Sequence, residues 1–158
     1  MRITDERPTH ERNLVAATKI RRGTTMLASR TRAERLGELS LNQVAILGWL
    51  AKTGLMTPGE VAQRLRTQPQ SITRTLAGLE AARLVSRTPD PDDGRQSLLT
   101  ITASGRRALA AEMAPRDVWL AEAISQVLTS SERELLVLAS ELLERLAELD
   151  AASAVVEA

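Results

Sequence analysis

Residues 57–101 read TPGEVAQRLRTQPQSITRTLAGLEAARLVSRTPDPDDGRQSLLTI, and their pattern decides the fold. Thr57 and Glu60 have the spacing of a capping box, in which each side chain bonds the backbone N–H of the other residue. Pro58 suits the first position of a helix, where its missing N–H is not needed. These signals predict a short helix that ends at Arg66.

A second short helix is predicted directly after the first. Thr67 and Gln70 repeat the capping-box spacing, and the Thr67 hydroxyl is expected to accept from the backbone amide of Gln70. Three apolar residues then recur at spacings of four and three, as one buried helix face requires: Ile72, Leu76 and Leu79. The opposite face carries short polar side chains and can enter a groove.

A β-hairpin is predicted after the second helix. Residues 83–87 and 96–101 are short β-prone runs, and residues 88–95 between them combine two prolines with an Asp-Gly pair. Two helices followed by a hairpin form a winged helix-turn-helix, a module that reads DNA. The sequence therefore predicts a mainly α fold of the α+β winged-helix class.

The rest of the chain is predicted to be helical and to form one structural domain with the winged module. Capping-box spacings at Ser40 and Thr129 begin two further helices, and Pro115 is expected to kink the long helix between the wing and Thr129. The helix after Ser40 is expected to bury Leu41, Val44, Leu47 and Leu50 or Ala51. The predicted organisation is a flexible N-terminus (1–10), dimerisation helices (11–36 and 103–149), a winged helix-turn-helix region (39–101) and a frayed tail (150–158).

The last helix is too apolar for a single packing partner. Its leucines form one stripe, and further apolar residues widen that stripe beyond what one contact requires. The simplest second contact is the same helix in a symmetry-related copy, so a homodimer is predicted. The predicted interface residues are Leu14, Leu135, Leu138, Leu142 and Leu146.

Composition argues against several classes of function. The 158 residues hold no cysteine and one histidine, His10, so disulfides, thiol chemistry and an ordinary zinc site are not expected. The sequence has no glycine-rich phosphate loop and no nucleophile motif. It also has no apolar run near the roughly 20 residues that cross a bilayer. We expect a cytoplasmic protein that is not an enzyme and uses no metal or cofactor.

The net charge of +1 hides an asymmetry along the chain. Residues 1–56 carry ten basic and five acidic side chains, residues 57–107 carry eight and five, and residues 108–158 carry three and ten. A basic front and an acidic end fit a chain whose first two thirds face a polyanion. A chance distribution of charge is the alternative.

The order of elements resembles that of the multiple antibiotic resistance regulator (MarR) family of bacterial transcription factors. The resemblance covers nearly the whole chain and is strongest at QSITR (70–74), LEAARLVSR (79–87) and DPDDGR (90–95). It implies a homodimer in which the first and the last two helices interlace. It also implies double-stranded DNA, a pseudo-palindromic operator, as the partner.

The resemblance further implies how DNA is read. The reading helix maps to residues 68–79 and is expected in the major groove. Arg95 matches a wing arginine that enters the minor groove, and Asp93 matches the acid that orients it. Gly94 departs from an arginine that is frequent in the family, so one groove contact is in doubt. Arg83 stands where a helix-ending glycine is usual, which implies a different exit from the helix.

Side-chain chemistry agrees with this assignment. Arg74 can bridge O6 and N7 of guanine and Gln70 can pair with adenine, each worth about 1–3 kcal/mol of discrimination. The alternative for Arg74 is a surface salt bridge with Glu80. The predicted DNA-binding residues are Gln68, Gln70, Ser71, Thr73, Arg74, Arg87, Asp93 and Arg95.

An effector site is also implied by the resemblance, because family members bind small aromatic molecules between the dimerisation helices and the reading module. Trp49 and Trp119 are the only aromatic residues and are predicted to form stacking walls for such a ligand. Arg22 or Arg30 is predicted to meet its carboxylate. The alternative is that both tryptophans are ordinary core or interface anchors.

The sequence therefore predicts a DNA-binding repressor released by a small aromatic ligand. Two alternatives stay open: a winged-helix module that contacts protein, and a DNA-binding regulator that needs no ligand.

Overall fold

The structure is a computed structural model that describes residues 8–34 and 37–149. Residues 1–7 and 150–158, predicted as flexible and frayed ends, lie outside the described residues, as do Arg35 and Leu36, the predicted end of the first helix. The elements are, in order, α1 (Thr9–Ala33), α2 (Leu41–Thr53), β1 (Leu55–Met56), α3 (Pro58–Arg64), α4 (Pro69–Ala81), β2 (Val85–Pro89), β3 (Ser97–Ile101), α5 (Ala103–Val127) and α6 (Ser130–Glu148). The mainly helical winged-helix prediction is confirmed.

The core lies between α2, α3, α4 and the sheet. Each helix contributes its apolar stripe, and the stripe predicted for α4 is buried as expected. The predicted burial of Leu41 is wrong, since this residue is half exposed in the first turn of α2. Ile46, further along the same helix, is buried and was not predicted to be. The core residues are Ile46, Leu47, Leu50, Met56, Val61, Ala62, Ile72, Leu76, Leu79, Val85, Leu99 and Ile101.

The sheet has three strands in the order β1-β3-β2, all antiparallel. The predicted hairpin is β2 and β3, whose register runs from Val85 opposite Ile101 to Pro89 opposite Ser97. The third strand, β1, was not predicted, because two residues are too few to show an alternating pattern. It pairs Met56 with Leu99 and so covers the second edge of β3.

Capping boxes start three of the helices, as predicted. At α3 the Thr57 hydroxyl accepts from the Glu60 amide at 3.2 Å, and the Glu60 carboxylate accepts from the Thr57 amide at 2.6 Å. The same reciprocal pairs begin α2 at Ser40 and α6 at Thr129. Each box satisfies two backbone donors that the first turn would otherwise leave without partners.

The capping box predicted at Thr67 is wrong, and so is the predicted end of α3 at Arg66. The helix ends at Arg64, and Arg66 has a left-handed φ of 49°. The Arg66 amide donates to Gln63 O at 2.9 Å and the Thr67 amide to Ala62 O at 3.0 Å, which is the Schellman pattern that closes a helix. Thr67 therefore belongs to the end of α3.

Helix α4 ends in the same way. Arg83 has a φ of 57°, and the amides of Arg83 and Leu84 donate to Glu80 O and Leu79 O, each at 2.9 Å. The different helix exit expected from Arg83 is thus wrong. Arginine here adopts the left-handed conformation that glycine usually supplies.

Helix α5 runs through Pro115 without interruption. The carboxylate of Glu112 is buried, with 2 % of the residue exposed, and accepts from Arg116 Nη2 at 2.9 Å. The carboxylate also lies against Gly37, where a side chain would collide with it. This buried ion pair was not predicted, because spacing alone does not separate a buried i,i+4 pair from an exposed one.

The chain divides into two compact units, residues 1–117 and 118–158, so the division falls within α5. The first contains the winged helix-turn-helix, and α6 belongs to the second. None of the described helices is long and apolar enough to span a membrane.

Candidate nucleic-acid interface

One face of α4 is polar and exposed along most of its length. Gln70, Ser71 and Arg74 are exposed, whereas Ile72 and Leu76 between and beyond them are buried. The helix is therefore anchored by one side and presents the other to solvent. Thr73 is also exposed, and its hydroxyl donates to Pro69 O at 3.2 Å, which leaves the oxygen able to accept.

The Arg74 guanidinium has no hydrogen-bond or ion-pair partner among residues 8–34 and 37–149. The alternative reading of Arg74, a salt bridge with Glu80, is wrong, because Glu80 pairs with Arg87 at 2.7 Å. A guanidinium on an exposed helix face with its donors unused is able to bind the edge of a base.

The start of α4 lacks a side-chain cap. Gln68 occupies the N-cap position without a side-chain bond to the first turn, and Pro69 follows it. The first-turn amides of α2, α3 and α6 are satisfied by capping boxes. The first turn of α4 has its Ser71 amide bonded to Gln68 O at 2.9 Å. The positive end of the helix dipole thus has no side-chain acceptor.

Asp93 organises the tip of the wing by accepting from two amide groups rather than from a guanidinium. Its carboxylate accepts from the Arg95 backbone amide at 3.0 Å and from the Gln96 side-chain amide at 3.0 Å. The bond from Gln96, and to a smaller extent the bond from the Arg95 amide, hold the pKa of Asp93 below its ordinary value. The expected Asp93–Arg95 side-chain pair is therefore absent here, and Asp93 shapes the turn that carries Arg95.

Arg87 is held inside the winged module. Its Nη2 and Nε donate to the Glu80 carboxylate at 2.7 and 3.1 Å, and its Nη1 donates to the Ser97 hydroxyl at 2.7 Å. The hydrogen bonds to Glu80 raise the pKa of Arg87 above its ordinary value. The sequence analysis named Glu80 only as a possible partner of Arg74 and did not predict its pairing with Arg87 or the contact with Ser97, although Glu80 and Arg87 both lie in the LEAARLVSR motif.

The tryptophan and arginine residues predicted for an effector site are each placed by the contacts of their own element. Trp49 is half buried against the core, with the Arg64 guanidinium 4.9 Å and the Lys52 ammonium 5.8 Å from its ring centre. Arg30, on α1, forms an ion pair with Glu34, the residue that follows the helix. Arg22, also predicted for this site, lies on α1, and Trp119 lies in the second compact unit.

The predicted interface leucines are exposed in the single chain. The four on α6 have between 54 and 65 % of their surface exposed, and Leu14 on α1 has 55 %. Neither α1 nor α6 contains a buried residue. Two long helices with uncovered leucines are unusual for a chain that stays alone in water.

Comparison with known proteins gives the family. A model of the MarR family matches residues 38–96, which span α2 to the wing. An uncharacterized HTH-type transcriptional regulator of Mycobacterium bovis is 42 % identical over 105 residues, which are 66 % of this chain and 73 % of that protein. The chain belongs to the MarR family. It is therefore a DNA-binding transcriptional regulator of the helix-turn-helix class.

Solved structures share the fold of this chain. A putative transcriptional regulator from Pseudomonas aeruginosa matches with a TM-score of 0.70 and 33 % identity, over 90 % of this chain and 99 % of that one. A MarR family protein from Bacillus stearothermophilus has the same TM-score at 21 % identity, over 85 % and 95 % of the two chains, and shows the shared fold.

Proposed function

We propose that the chain binds an inverted-repeat operator as a homodimer, with α4 in the major groove and the wing in the minor groove, and acts as a repressor. The observation that carries the proposal is the exposed Arg74 guanidinium, which has no partner among the described residues of its own chain. Beside it, Gln70 is exposed on the same helix and suits adenine as Arg74 suits guanine.

Phosphate contacts are proposed at the start of α4 and on its polar face. The uncapped first turn at Gln68 favours an anion, and the hydroxyls of Ser71 and Thr73 can bond phosphate oxygens. Such contacts position the protein and do not specify sequence. Arg95, at the exposed wing, suits the electronegative minor groove of A·T-rich DNA.

Dimerisation is proposed through the leucine stripe of α6, together with Leu14 of α1. The stripe consists of Leu135, Leu138, Leu142 and Leu146, whose exposed surface has no cover within the described chain. Burying this stripe against a second copy removes apolar surface from water, which stabilises the dimer by about 25 cal/mol per Å² buried. A two-fold dimer also matches the symmetry of an inverted-repeat site.

We further propose that a small aromatic molecule releases the protein from its operator. A ligand that binds one arrangement of the dimer better than the DNA-bound one lowers operator affinity by that difference. Trp49 and Trp119 are the aromatic residues proposed to stack on the ligand, with Arg22 or Arg30 proposed to meet its carboxylate. A regulator without an effector, and a module that binds protein, are the competing functions.

The test is binding to double-stranded DNA from upstream of the gene, followed by footprinting at several salt concentrations. We expect a protected inverted repeat with half-sites about 10 base pairs apart, and an affinity that falls steeply with salt. Arg74→Ala should lose discrimination between operator variants by about 1–3 kcal/mol, whereas Arg106→Ala, a control at an exposed base on α5, should keep it. A protein that binds no duplex even at low salt would be a protein-interaction module instead.

A further inference from the structure

Besides their shared core, the recognition helix α4 and the wing are linked by a three-residue bridge, Glu80–Arg87–Ser97. Arg87 on β2 bonds the Glu80 carboxylate on α4 through two nitrogens, at 2.7 and 3.1 Å. Its third bond, from Nη1, reaches the Ser97 hydroxyl on β3 at 2.7 Å. A planar guanidinium that bonds two elements at once fixes their relative orientation as well as their separation.

The bridge joins the elements that carry the two arginines proposed to read DNA. Glu80 lies six residues after Arg74 on α4, and Ser97 lies two residues after Arg95 at the start of β3. Pro89 pairs with Ser97 across the hairpin, so the bridge sits close below the wing tip. Its geometry therefore bears on how Arg74 and Arg95 are spaced.

The bridge also changes the role that the sequence predicted for Arg87, a contact with DNA. The Glu80 carboxylate at 2.7 Å offsets the guanidinium charge, so the pair as a whole attracts a phosphate weakly. Three of the five N–H donors of Arg87 are already used within the protein. The remaining donors give less than a free arginine such as Arg74 would give.

We propose that Arg87 is a positioning residue, which through Glu80 and Ser97 holds the wing against the recognition helix so that Arg74 and Arg95 engage DNA as one rigid body. This inference rests on the proposed DNA-binding function. A rigid pair of contacts binds more tightly than the same contacts on independent elements, because the second contact orders nothing further. Loosening the bridge should weaken the wing contact most.

The first test is the sign of the change in operator affinity for Glu80→Ala. A freed Arg87 that bound phosphate would raise the affinity, and removal of a negative charge would raise it further. The positioning role predicts the opposite: a loss of about three- to tenfold. Asp92→Ala, which removes an exposed wing acid outside the bridge, is the control and should not weaken binding.

The second test separates positioning from a general loss of stability. Arg95→Ala is measured in the unchanged protein and in the Glu80→Ala background. We expect its cost to shrink by about threefold or more in that background, since a loosened wing already contributes less. Arg74→Ala should cost the same in both. Each affinity is calculated from the concentration of folded protein, which circular dichroism measures.

Two results would overturn the inference: tighter binding by Glu80→Ala, or an equal cost of Arg95→Ala in both backgrounds. Neither result touches the proposed function, because the unchanged protein binds the operator in both cases. Failure of the unchanged protein to bind any duplex removes the proposed function itself and is seen before any variant is made.

Discussion

The Arg64 guanidinium lies 4.9 Å from the centre of the Trp49 ring and has no hydrogen-bond or ion-pair partner among residues 8–34 and 37–149. The contact joins the last turn of α3 to α2 across the surface of the winged module. A cation over an indole face is attracted by the ring quadrupole. An aromatic effector that stacked on this face of Trp49 would have to displace Arg64 first.

Arg64→Ala is therefore expected to lower the free energy of unfolding by about 0.5–1 kcal/mol, the usual value of an exposed cation–π contact. Urea denaturation followed by circular dichroism measures the change. Arg74→Ala is the matched control, since Arg74 is an exposed arginine without such a ring and should leave the free energy of unfolding nearly unchanged. Equal effects of the two changes would mean that the contact with Trp49 contributes nothing.

Gly105→Ala should destabilise the protein strongly. A Cβ atom on Gly105 would lie 2.1 Å from the carbonyl oxygen of Leu84 and 2.8 Å from Ile101 Cγ1. The Leu84 oxygen cannot move away freely, because it accepts from the Thr102 amide at 3.0 Å. Overpacking of this kind costs about 1–3 kcal/mol or more. A lowered thermal midpoint is the expected readout.

Gly78→Ala is the matched control for Gly105→Ala. Gly78 lies inside α4, and nothing stands within 4 Å of the place its Cβ would occupy. Alanine in a helix interior is favoured over glycine by about 0.5–1 kcal/mol, so the thermal midpoint should rise. A fall for both variants would indicate that the close approach at Leu84 is not the cause.

Leu142→Asp should dissociate the proposed dimer. Leu142 lies in the middle of the leucine stripe and is 54 % exposed in the single chain, so aspartate there is tolerated by the monomer. In an apolar interface the same charge would be buried without a partner. Light scattering after size-exclusion chromatography measures the mass, and Ser140→Asp, on the same helix but outside the stripe, should stay dimeric. A dimeric Leu142→Asp protein would contradict the assigned interface.

The hydrogen bonds of the wing turn should persist to a lower pH than the ordinary pKa of an aspartate would allow. Bonds from the Gln96 side chain and the Arg95 amide hold the pKa of Asp93 below its ordinary value. A group with a lowered pKa stabilises the folded state above its unfolded pKa, and this stabilisation is lost as the pH falls through the lower, folded value. Amide chemical shifts of Arg95 and Gln96 should therefore titrate with a midpoint below the ordinary pKa of an aspartate. Asp93→Asn should abolish that titration.

The local signals in the sequence predicted most of the fold because they act over a few residues. Capping boxes at Ser40, Thr57 and Thr129 begin helices as expected, and the α4 stripe is buried. The box at Thr67 failed for a reason that is also local. The backbone amide of Thr67 was already needed to close α3, and a left-handed Arg66 is not a usual signal for a helix end.

The candidate site was predictable in its residues and less so in its partners. Gln70, Ser71 and Arg74 share an exposed face because helical periodicity requires it. The partner of Glu80 was not predictable, because Arg74 and Arg87 both lay within reach along the sequence. Only the path of the chain after Arg83, which turns β2 back beside α4, decides that Arg87 is the one.

Both helices of the helix-turn-helix end on an arginine, Arg66 and Arg83, in a backbone conformation that costs residues with a side chain about 1–2 kcal/mol relative to glycine. The free energy of unfolding is thus lower than the same fold could reach with glycine at these positions. Glycine at either position would release part of that strain and keep the turn. Laboratory evolution for thermal stability should therefore select glycine substitutions at Arg66 and Arg83 early.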